Sequence, residues 1–407
     1  MDAHNEVMRE VRSRNDRSYD PTEPTRVWLD EDNTPDGVRD SLTIILNTGG
    51  CRWARAGGCT MCGYVAESVD GGSVDHGKLM TQLEACLDHE RENADEPAGL
   101  VKIYTSGSFL DEREIPPETR EAVAETFADR DRLVVESLPD FVDREKLREF
   151  TDRGLATDVA VGLETATDRV RHDCVNKYFD FADFEAACAE VRAAGEGSEA
   201  AAERASGRSE RRERRHASRA GAERPPPNGR AASSRVKRAR ARQSFALPAT
   251  DESRERAPAG VKAYLLLKPP FLAEPEAVAD MTRSVRRCAA VEGCHTVSVN
   301  PCNVQRHTMV EELYHDGGYR PPWLWSVCEV LEATADADAI VVSDPVGHGS
   351  DRGPHNCGDC DDRVQTAIKD FDLRQDPSVF EEVACDCEAT WEHVMREETA
   401  YNQPLVR

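Results

Sequence analysis

The stretch "TIILNTGGCRWARAGGCTMCGYVAE", Thr43 to Glu67, runs a β-branched apolar segment straight into a glycine-rich loop carrying Cys51, Cys59 and Cys62. A continuous apolar run of this length reads as a strand buried on both faces, the pattern of a parallel sheet. Working outward from it, similar runs recur at 100–107, 132–138, 157–164, 261–268 and 296–302. Helical patterns such as "HGKLMTQLEACLDHERENA" and "ETREAVAETFADR" lie between them. Such a series predicts an α/β fold, a partial or full parallel (β/α) barrel. Chemistry in these barrels gathers at the carboxyl ends of the strands. The cysteine loop follows the first apolar strand, so it stands where a catalytic loop belongs.

The spacing divides the 407 residues into a lead segment at 1–38, the barrel at 39–305 and a cysteine-bearing C-terminal subdomain at 306–407. One segment breaks the barrel. From 196 to 259 the chain is rich in Arg, Ala, Ser and Pro and nearly empty of large apolar side chains. It cannot bury enough surface to offset the entropy of ordering, so it is expected to be a disordered basic insertion. Its arginines suit an arm that grips RNA phosphates, or the segment is a neutral expansion that the barrel tolerates.

Against 52 Lys+Arg stand 77 Asp+Glu, a net charge of -25. That is not the basic footprint expected of a nucleic-acid binder. A high-salt cytoplasm makes proteins acidic everywhere and screens long-range fields, so the charge says little about partners. The first residues lack the apolar core of a secretory leader and no run reaches the length of a membrane span, which predicts a cytoplasmic protein with no membrane. In a reducing compartment the 14 cysteines are not expected to form disulfides. Cys86, Cys188, Cys288 and Cys328 read as small apolar residues of helices.

The clustered cysteines need ligation as their reason. Cys51-x7-Cys59-x2-Cys62 offers three thiolates with no fourth Cys or His nearby in sequence. A closed structural zinc site wants four ligands. Three ligands leave one position open, as a 4Fe–4S cluster requires when its fourth iron must bind another molecule. Gly49, Gly50, Gly57 and Gly58 would let the backbone wrap closely around it. A second group, "HNCGDCDD" with "CDC", places Cys357, Cys360, Cys385 and Cys387 in two knuckles, the arithmetic of a tetrahedral zinc site. A second iron–sulfur cluster and unligated thiols are the other readings.

The strand and its three-cysteine loop, followed by further β/α units, resemble the radical S-adenosylmethionine (SAM) superfamily. The spacing departs from that superfamily's commonest Cys-x3-Cys-x2-Cys, but longer first gaps occur in the branch resembling the elongator catalytic subunit. "VVESLPDFVDREKL" is similar to that branch's third-strand Glu-Thr-Arg-Pro-Asp motif, with Leu138 in place of the arginine. "VAVGLETATDRVRHDCVNKYFDFADFEAA" is similar to its fourth-strand block. With "GCRWARAGGCTMCGY", "YRPPWLWS" and "HNCGDCDD", the chain outside the insertion resembles the radical-SAM (beta) subunit family of archaeosine synthases.

The resemblance implies that Cys51, Cys59 and Cys62 hold three irons while the fourth chelates the methionine end of SAM. One electron into the sulfonium C–S bond then releases methionine and a 5'-deoxyadenosyl radical; the cofactor carries the hard chemistry and the protein positions it. Met61 would sit near adenine or merely pack the loop. Ser106, Gly107 and Ser108 end the second strand where the superfamily bonds the SAM amino group. Glu136 and Glu164 end strands on the same rim and suit ribose hydroxyls or the methionine ammonium; Lys268 is a weaker candidate for the SAM carboxylate or the substrate. Asn300, Cys302, Gln305, His307, Tyr319 and Trp325 could shape a nucleotide pocket, although "PPWLWS" suits core packing equally.

In that family a lysine-transferring alpha subunit first attaches lysine to 7-cyano-7-deazaguanine at tRNA position 15. The radical subunit then cleaves the lysine C–N bond, a lyase reaction that leaves archaeosine. Other branches methylthiolate or carboxymethylate tRNA bases, and a non-enzymatic, zinc-stapled RNA-binding subunit would be a reading of a different class. The implied partners are therefore tRNA and the alpha subunit.

Overall fold

The computed structural model describes residues 2–15, 19–69, 73–195 and 258–399. All of the insertion expected at 196–259 except Pro258 and Ala259 lies outside the described residues. The fold is a single 8-stranded sheet in the order β1-β2-β3-β4-β5-β6-β7-β8, following the chain. β2 (Gly37–Ile45), β3 (Leu100–Tyr104), β4 (Arg132–Glu136), β5 (Ala156–Glu164), β6 (Val261–Leu267), β7 (Cys294–Pro301) and β8 (Ile340–Val342) run parallel. Helices including His76–Asn93, Phe181–Gly195 and Glu274–Ala289 connect or follow these strands. Val101, Ile103, Leu133, Val135, Val159, Val161, Leu265 and Val299 join buried residues of the helices in one extended apolar core. This is the expected parallel partial barrel, extended by two strands.

The added strands sit at its two edges. β1 (Arg26–Thr34) pairs antiparallel with β2 from Arg26↔Ile45 to Thr34↔Gly37. The turn between them is built by Gly37 at φ 93 and by the Thr34 hydroxyl, which donates to the Gly37 carbonyl at 2.7 Å. At the far edge β8 is only three residues long. The helix Asp361–Arg374 and the residues after it cover that edge: Gln375 accepts from the Val341 N–H at 2.9 Å and donates to the Val341 carbonyl at 2.8 Å. Lys369 of the same helix pairs with Asp30 of β1 at 2.8 Å, so one helix seals the seam between first and last strands.

The two ends of the barrel differ in kind. At the amino ends of the parallel strands, Arg132 lies between Asp36 at 2.9 Å and Asp158 at 2.7 Å, and Lys102 meets Asp32 at 2.5 Å. Asp158 and Asp32 are both held down at about 2; burial opposes this, but the cations beside them outweigh it. These ion pairs plug the lower end. The carboxyl ends carry the long loops, and with them the cysteines.

Candidate metal and cofactor site

β2 ends at Ile45 and the chain passes through Asn47–Gly50 to Cys51, which begins the short helix Arg52–Ala56. Gly58, at φ 79, turns it back; a Cβ there would stand 2.5 Å from the Ala54 Cα. The loop is pinned from two directions. On one side Thr60 donates its N–H to the Val175 carbonyl at 2.9 Å and its hydroxyl to the Cys174 carbonyl at 2.7 Å. Asn176, in the left-handed region at φ 62, donates to the Gly58 carbonyl at 2.8 Å while its own carbonyl accepts from the Trp53 indole at 2.8 Å. On the other side Arg12, from the first helix, donates to the carbonyls of Ala54, Gly57, Cys59 and Cys62.

Cys59 is buried, and Cys51 and Cys62 are half-buried. The three thiols are mutually close enough to feel one another's charge. Burial pushes Cys51 up to about 11 and carries Cys59 and Cys62 up as well. Two cations oppose this: Lys177 at Cys59 and Arg12 at Cys62. Burial alone would lower Lys177, but Glu164 at 2.6 Å and then Cys59 hold it above the ordinary lysine value.

Gly107 shows how tightly the second rim loop closes on the first. A Cβ on it would lie 2.7 Å from the Cys51 Cα and 2.9 Å from the Cys51 N, so only glycine fits. The neighbouring Ser108 donates its N–H to Glu114 at 2.6 Å and accepts from the Leu138 N–H at 3.0 Å. Thr48 donates to the other Glu114 oxygen at 2.6 Å. Ser106 is half-buried in the same turn. Burial raises Glu114, and burial followed by the charge of Glu114 lifts Glu136 to about 8.

Glu164 departs from a simple strand end. It has φ 68, at the register shift between Gly162 and Glu164 in the β5–β6 pairing, and its carboxylate meets Lys177. Met61 packs against the apolar cluster of Cys302, Val304, Val310 and Tyr319. Lys268, also at positive φ, is buried against Glu274 at 2.6 Å; Glu274 in turn accepts from Trp323 and Ser326. Gln305 accepts from the Gly63 N–H at 2.5 Å, and the Tyr319 hydroxyl donates to the Lys268 carbonyl at 2.8 Å. Asn300 bonds within its own strand to the Ser298 carbonyl at 3.3 Å, and His307, at φ 58, donates its N–H to Glu311 at 2.7 Å. Trp325 lies elsewhere: its indole N–H points at the Cys387 Sγ, 3.3 Å away.

That sulfur belongs to the second group. Cys357, Cys360, Cys385 and Cys387 bring their sulfurs within 4.8 Å of one another. The Cys357–Cys360, Cys357–Cys385 and Cys360–Cys387 separations are 3.8, 3.7 and 3.6 Å. A tetrahedron of sulfurs about 2.3 Å from a central ion has edges of about 3.8 Å. The four thiols therefore fit one tetrahedral ion, whereas thiolates on the separate irons of a cluster stand farther apart.

No family profile matches the chain. It is 34% identical over 412 residues to the archaeosine synthase subunit beta of Methanosarcina acetivorans, covering 99% of each chain. The chain belongs to the archaeosine synthase subunit beta family. The family member of Thermococcus kodakarensis is 32% identical, across 90% of this chain and 95% of its own. Among solved structures, the N-terminally deleted Elp3 of Methanocaldococcus infernus aligns with a TM-score of 0.43 and 11% identity, over 75% of this chain and 59% of that one.

Sequence reasoning missed Arg12, Asn176, Lys177 and Glu114 at this family's cysteine loop. Arg12, Asn176 and Lys177 stand 39 to 126 positions from Cys51 along the chain, and Glu114 stands 63 away, so no local spacing could mark them. The hint that was available is the pair of polar residues, Asn176 and Lys177, closing the fourth-strand block.

Proposed function

We propose that the chain is the radical-SAM lyase subunit of an archaeosine synthase, cleaving the C–N bond of a lysine adduct on 7-deazaguanine at tRNA position 15. The observation that carries this reading is the trio of thiols on the carboxyl-end rim, held by Arg12 and faced by Lys177. Three thiolates with two cations nearby suit a 4Fe–4S cluster, whose thiolate-bound form is net negative. The Gly107 approach supports the fit, since a Cβ would intrude where the two rim loops meet. When bound, a cluster with SAM would supply one electron that breaks the sulfonium C–S bond, releasing methionine and a carbon radical able to take hydrogen from the lysine ε-carbon.

The chain's own residues position and enclose. Cys51, Cys59 and Cys62 ligate iron. The backbone carbonyls of Ser106 and Gly107 would serve the SAM ammonium, and Met61, packed against the Cys302 cluster, would serve adenine. Glu136, kept mostly protonated at neutral pH by its burial, would serve a ribose hydroxyl as donor or acceptor. Glu164 orients Lys177. Cys357, Cys360, Cys385 and Cys387 hold one zinc ion, for which their separations are suited. A metal on these four thiols would join the knuckle of Cys357 and Cys360 to that of Cys385 and Cys387, beside Trp325. The same spacing speaks against a second cluster there, and so against methylthiolation. Partners on this reading are tRNA and a lysine-transferring alpha subunit. Among the described residues no helix is long and apolar enough to cross a membrane.

The test is mass spectrometry of nucleosides from tRNA bearing the lysine adduct, incubated anaerobically with reconstituted protein, SAM and a reductant. Loss of the adduct with matching appearance of archaeosine is expected. Cleavage of SAM with the adduct unchanged, or a methylthiolated base, would overturn the assignment.

A further inference from the structure

The first helix, Asp2–Arg12, stands apart from the barrel's repeating units, yet it is built into the rim. Met8 and Val11 are buried against Met309, and the Met309 N–H points at the Met8 sulfur at 3.3 Å. Asn5 accepts from Asn176 at 2.9 Å, which joins the helix to the residue that pins Gly58. Arg14 pairs with Glu312 at 2.7 Å. The helix is thereby fixed at its middle and its end, with Arg12 aimed into the cysteine loop.

The partners of Arg12 are unusual for a guanidinium in such a place. All are carbonyl oxygens: Ala54 at 2.5 Å, Gly57, Cys59 at 3.3 Å and Cys62 at 2.8 Å. Its buried Nε has no hydrogen-bond partner among the described residues. Among the described residues no carboxylate lies within the 4.0 Å of an ion pair. Lys177, the other cation facing the thiols, is already paired with Glu164. A half-buried cation without a counter-charge is costly unless an anion meets it. Burial disfavours its charge, and the groups placed to offset this are Cys62, Cys59 and Cys51, which become negative when they ligate as thiolates.

We infer that Arg12 is a positioning residue for the cluster proposed on Cys51, Cys59 and Cys62: its fork orders the loop through four carbonyls, and its charge, unpaired among the described residues, stabilises the more negative reduced state. The inference rests on the cluster reading of these three cysteines. A fixed positive charge near a redox centre favours the state carrying one electron more, and the effect is strong where water is scarce. The two tasks separate chemically. Lysine keeps the charge but cannot span four carbonyls with a planar fork; glutamine keeps polar contact but loses the charge.

The experiment is a potentiometric titration of the reconstituted cluster, without SAM or substrate, read by the spectrum of its reduced state in wild type, Arg12→Lys and Arg12→Gln. Arg12→Gln is expected to lower the reduced-to-oxidised ratio at fixed potential by about tenfold, or about 59 mV for a one-electron couple. Arg12→Lys should stay near the wild-type potential but lose iron to a chelator several-fold faster. Asn5→Ala, which loosens the helix without touching charge, should also lose iron faster at unchanged potential. If Arg12→Gln folds but takes up no cluster while Arg12→Lys loads normally, the need for charge stands. Equal potentials and equal iron loss in wild type and both Arg12 variants would overturn the inference. A wild-type protein that binds no iron at these cysteines would instead overturn the cluster reading itself.

Discussion

The two cysteine groups of this chain solve opposite problems. Cys357, Cys360, Cys385 and Cys387 crowd their sulfurs to 3.6–3.8 Å along three edges, four donors converging on one point. Their neighbours are mild donors: Asn356 toward Cys360 at 3.5 Å and Trp325 toward Cys387 at 3.3 Å. Cys51, Cys59 and Cys62 offer three donors, lie outside the set that gathers within 4.8 Å among the described residues, and are faced by full cations. On the proposed reading, ligand count and sulfur spacing together would separate a closed single-ion site from an open polynuclear one.

The sharpest break in that comparison is exchange of one ligand in each group. Cys59→Ser is expected to abolish the visible colour of anaerobically reconstituted protein and to reduce SAM cleavage by at least about a hundredfold, since an incomplete ligand set loses the cluster. Cys360→Ser should leave iron at the first group while one equivalent of zinc is lost, as metal analysis would show. It should also lower Tm by about 5 °C or more, because structural metal binding is folding energy. If Cys360→Ser lost iron and kept its Tm, the two groups would have to trade roles.

Next in size is Gly107→Ala. The added methyl would press on the Cys51 backbone, and backbone yields less readily than side chains. Cluster retention and SAM cleavage are expected to fall about tenfold with a destabilisation of about 1–3 kcal/mol. Gly317→Ala is the contrasting control: Gly317 has φ 72, unlike Gly107, so alanine strains its backbone, but nothing stands within 4 Å of its Cβ. It should cost stability without touching the metal content. An unaltered cluster in Gly107→Ala would mean that the two rim loops are not in contact as described.

Glu136 gives a smaller, pH-resolved effect. Its folded value, about 8, stands above the ordinary 4.5, with burial the first cause and Glu114 the second. Its contribution to stability is therefore complete below about pH 4.5 and is lost as pH rises toward 8. In the metal-free protein, Glu136→Gln should flatten this part of the Tm–pH curve, bringing variant and wild type apart most clearly above pH 8. Parallel curves for the two proteins would place the titration elsewhere.

What the sequence made readable was whatever is local. Apolar runs marked β2 to β7, from β3 and β4, buried along nearly their whole length, to β6, where buried and half-buried residues alternate; the cysteine spacings are short-range facts. β1 escaped because "RVWLDEDNT" carries acids that face the ion pairs at the lower end, as Asp32 does with Lys102, and so lacks an apolar stripe. β8 escaped because three residues are too few to show a period. At the rim, Glu136 and Glu164 were visible as strand-end carboxylates, but the Lys177 partner and the positive φ of Glu164 follow from folding alone. Arg12 was the furthest from legibility. A polar N-terminal helix reads as a lead segment until Met8 and Val11 are seen buried.

The smallest effect is predicted for the most conspicuous segment. The helix Phe181–Gly195 ends, and the chain is described again from residue 258, with Ala259 buried in the core just before β6. These two ends meet: a Cβ on Gly195 would lie 3.9 Å from the Ala259 Cβ. A helix and its following strand are normally joined by a few residues, so a short linker can replace 196–257 without moving either element. Loop-closure entropy changes by only about 0.6 kcal/mol per doubling of length, and shortening the loop favours the folded state. Replacement of 196–257 by a short Gly/Ser linker is therefore expected to leave Tm within about 2 °C and SAM cleavage unchanged. The arginines removed could still hold tRNA phosphates, a contribution that is sequence-independent and weakens steeply with salt. Measured affinity for tRNA should then fall at low salt and match the full chain in molar salt. A large drop in Tm would show instead that the segment contributes to the core that Ala259 enters, and that the helix and β6 need more than proximity to hold their register.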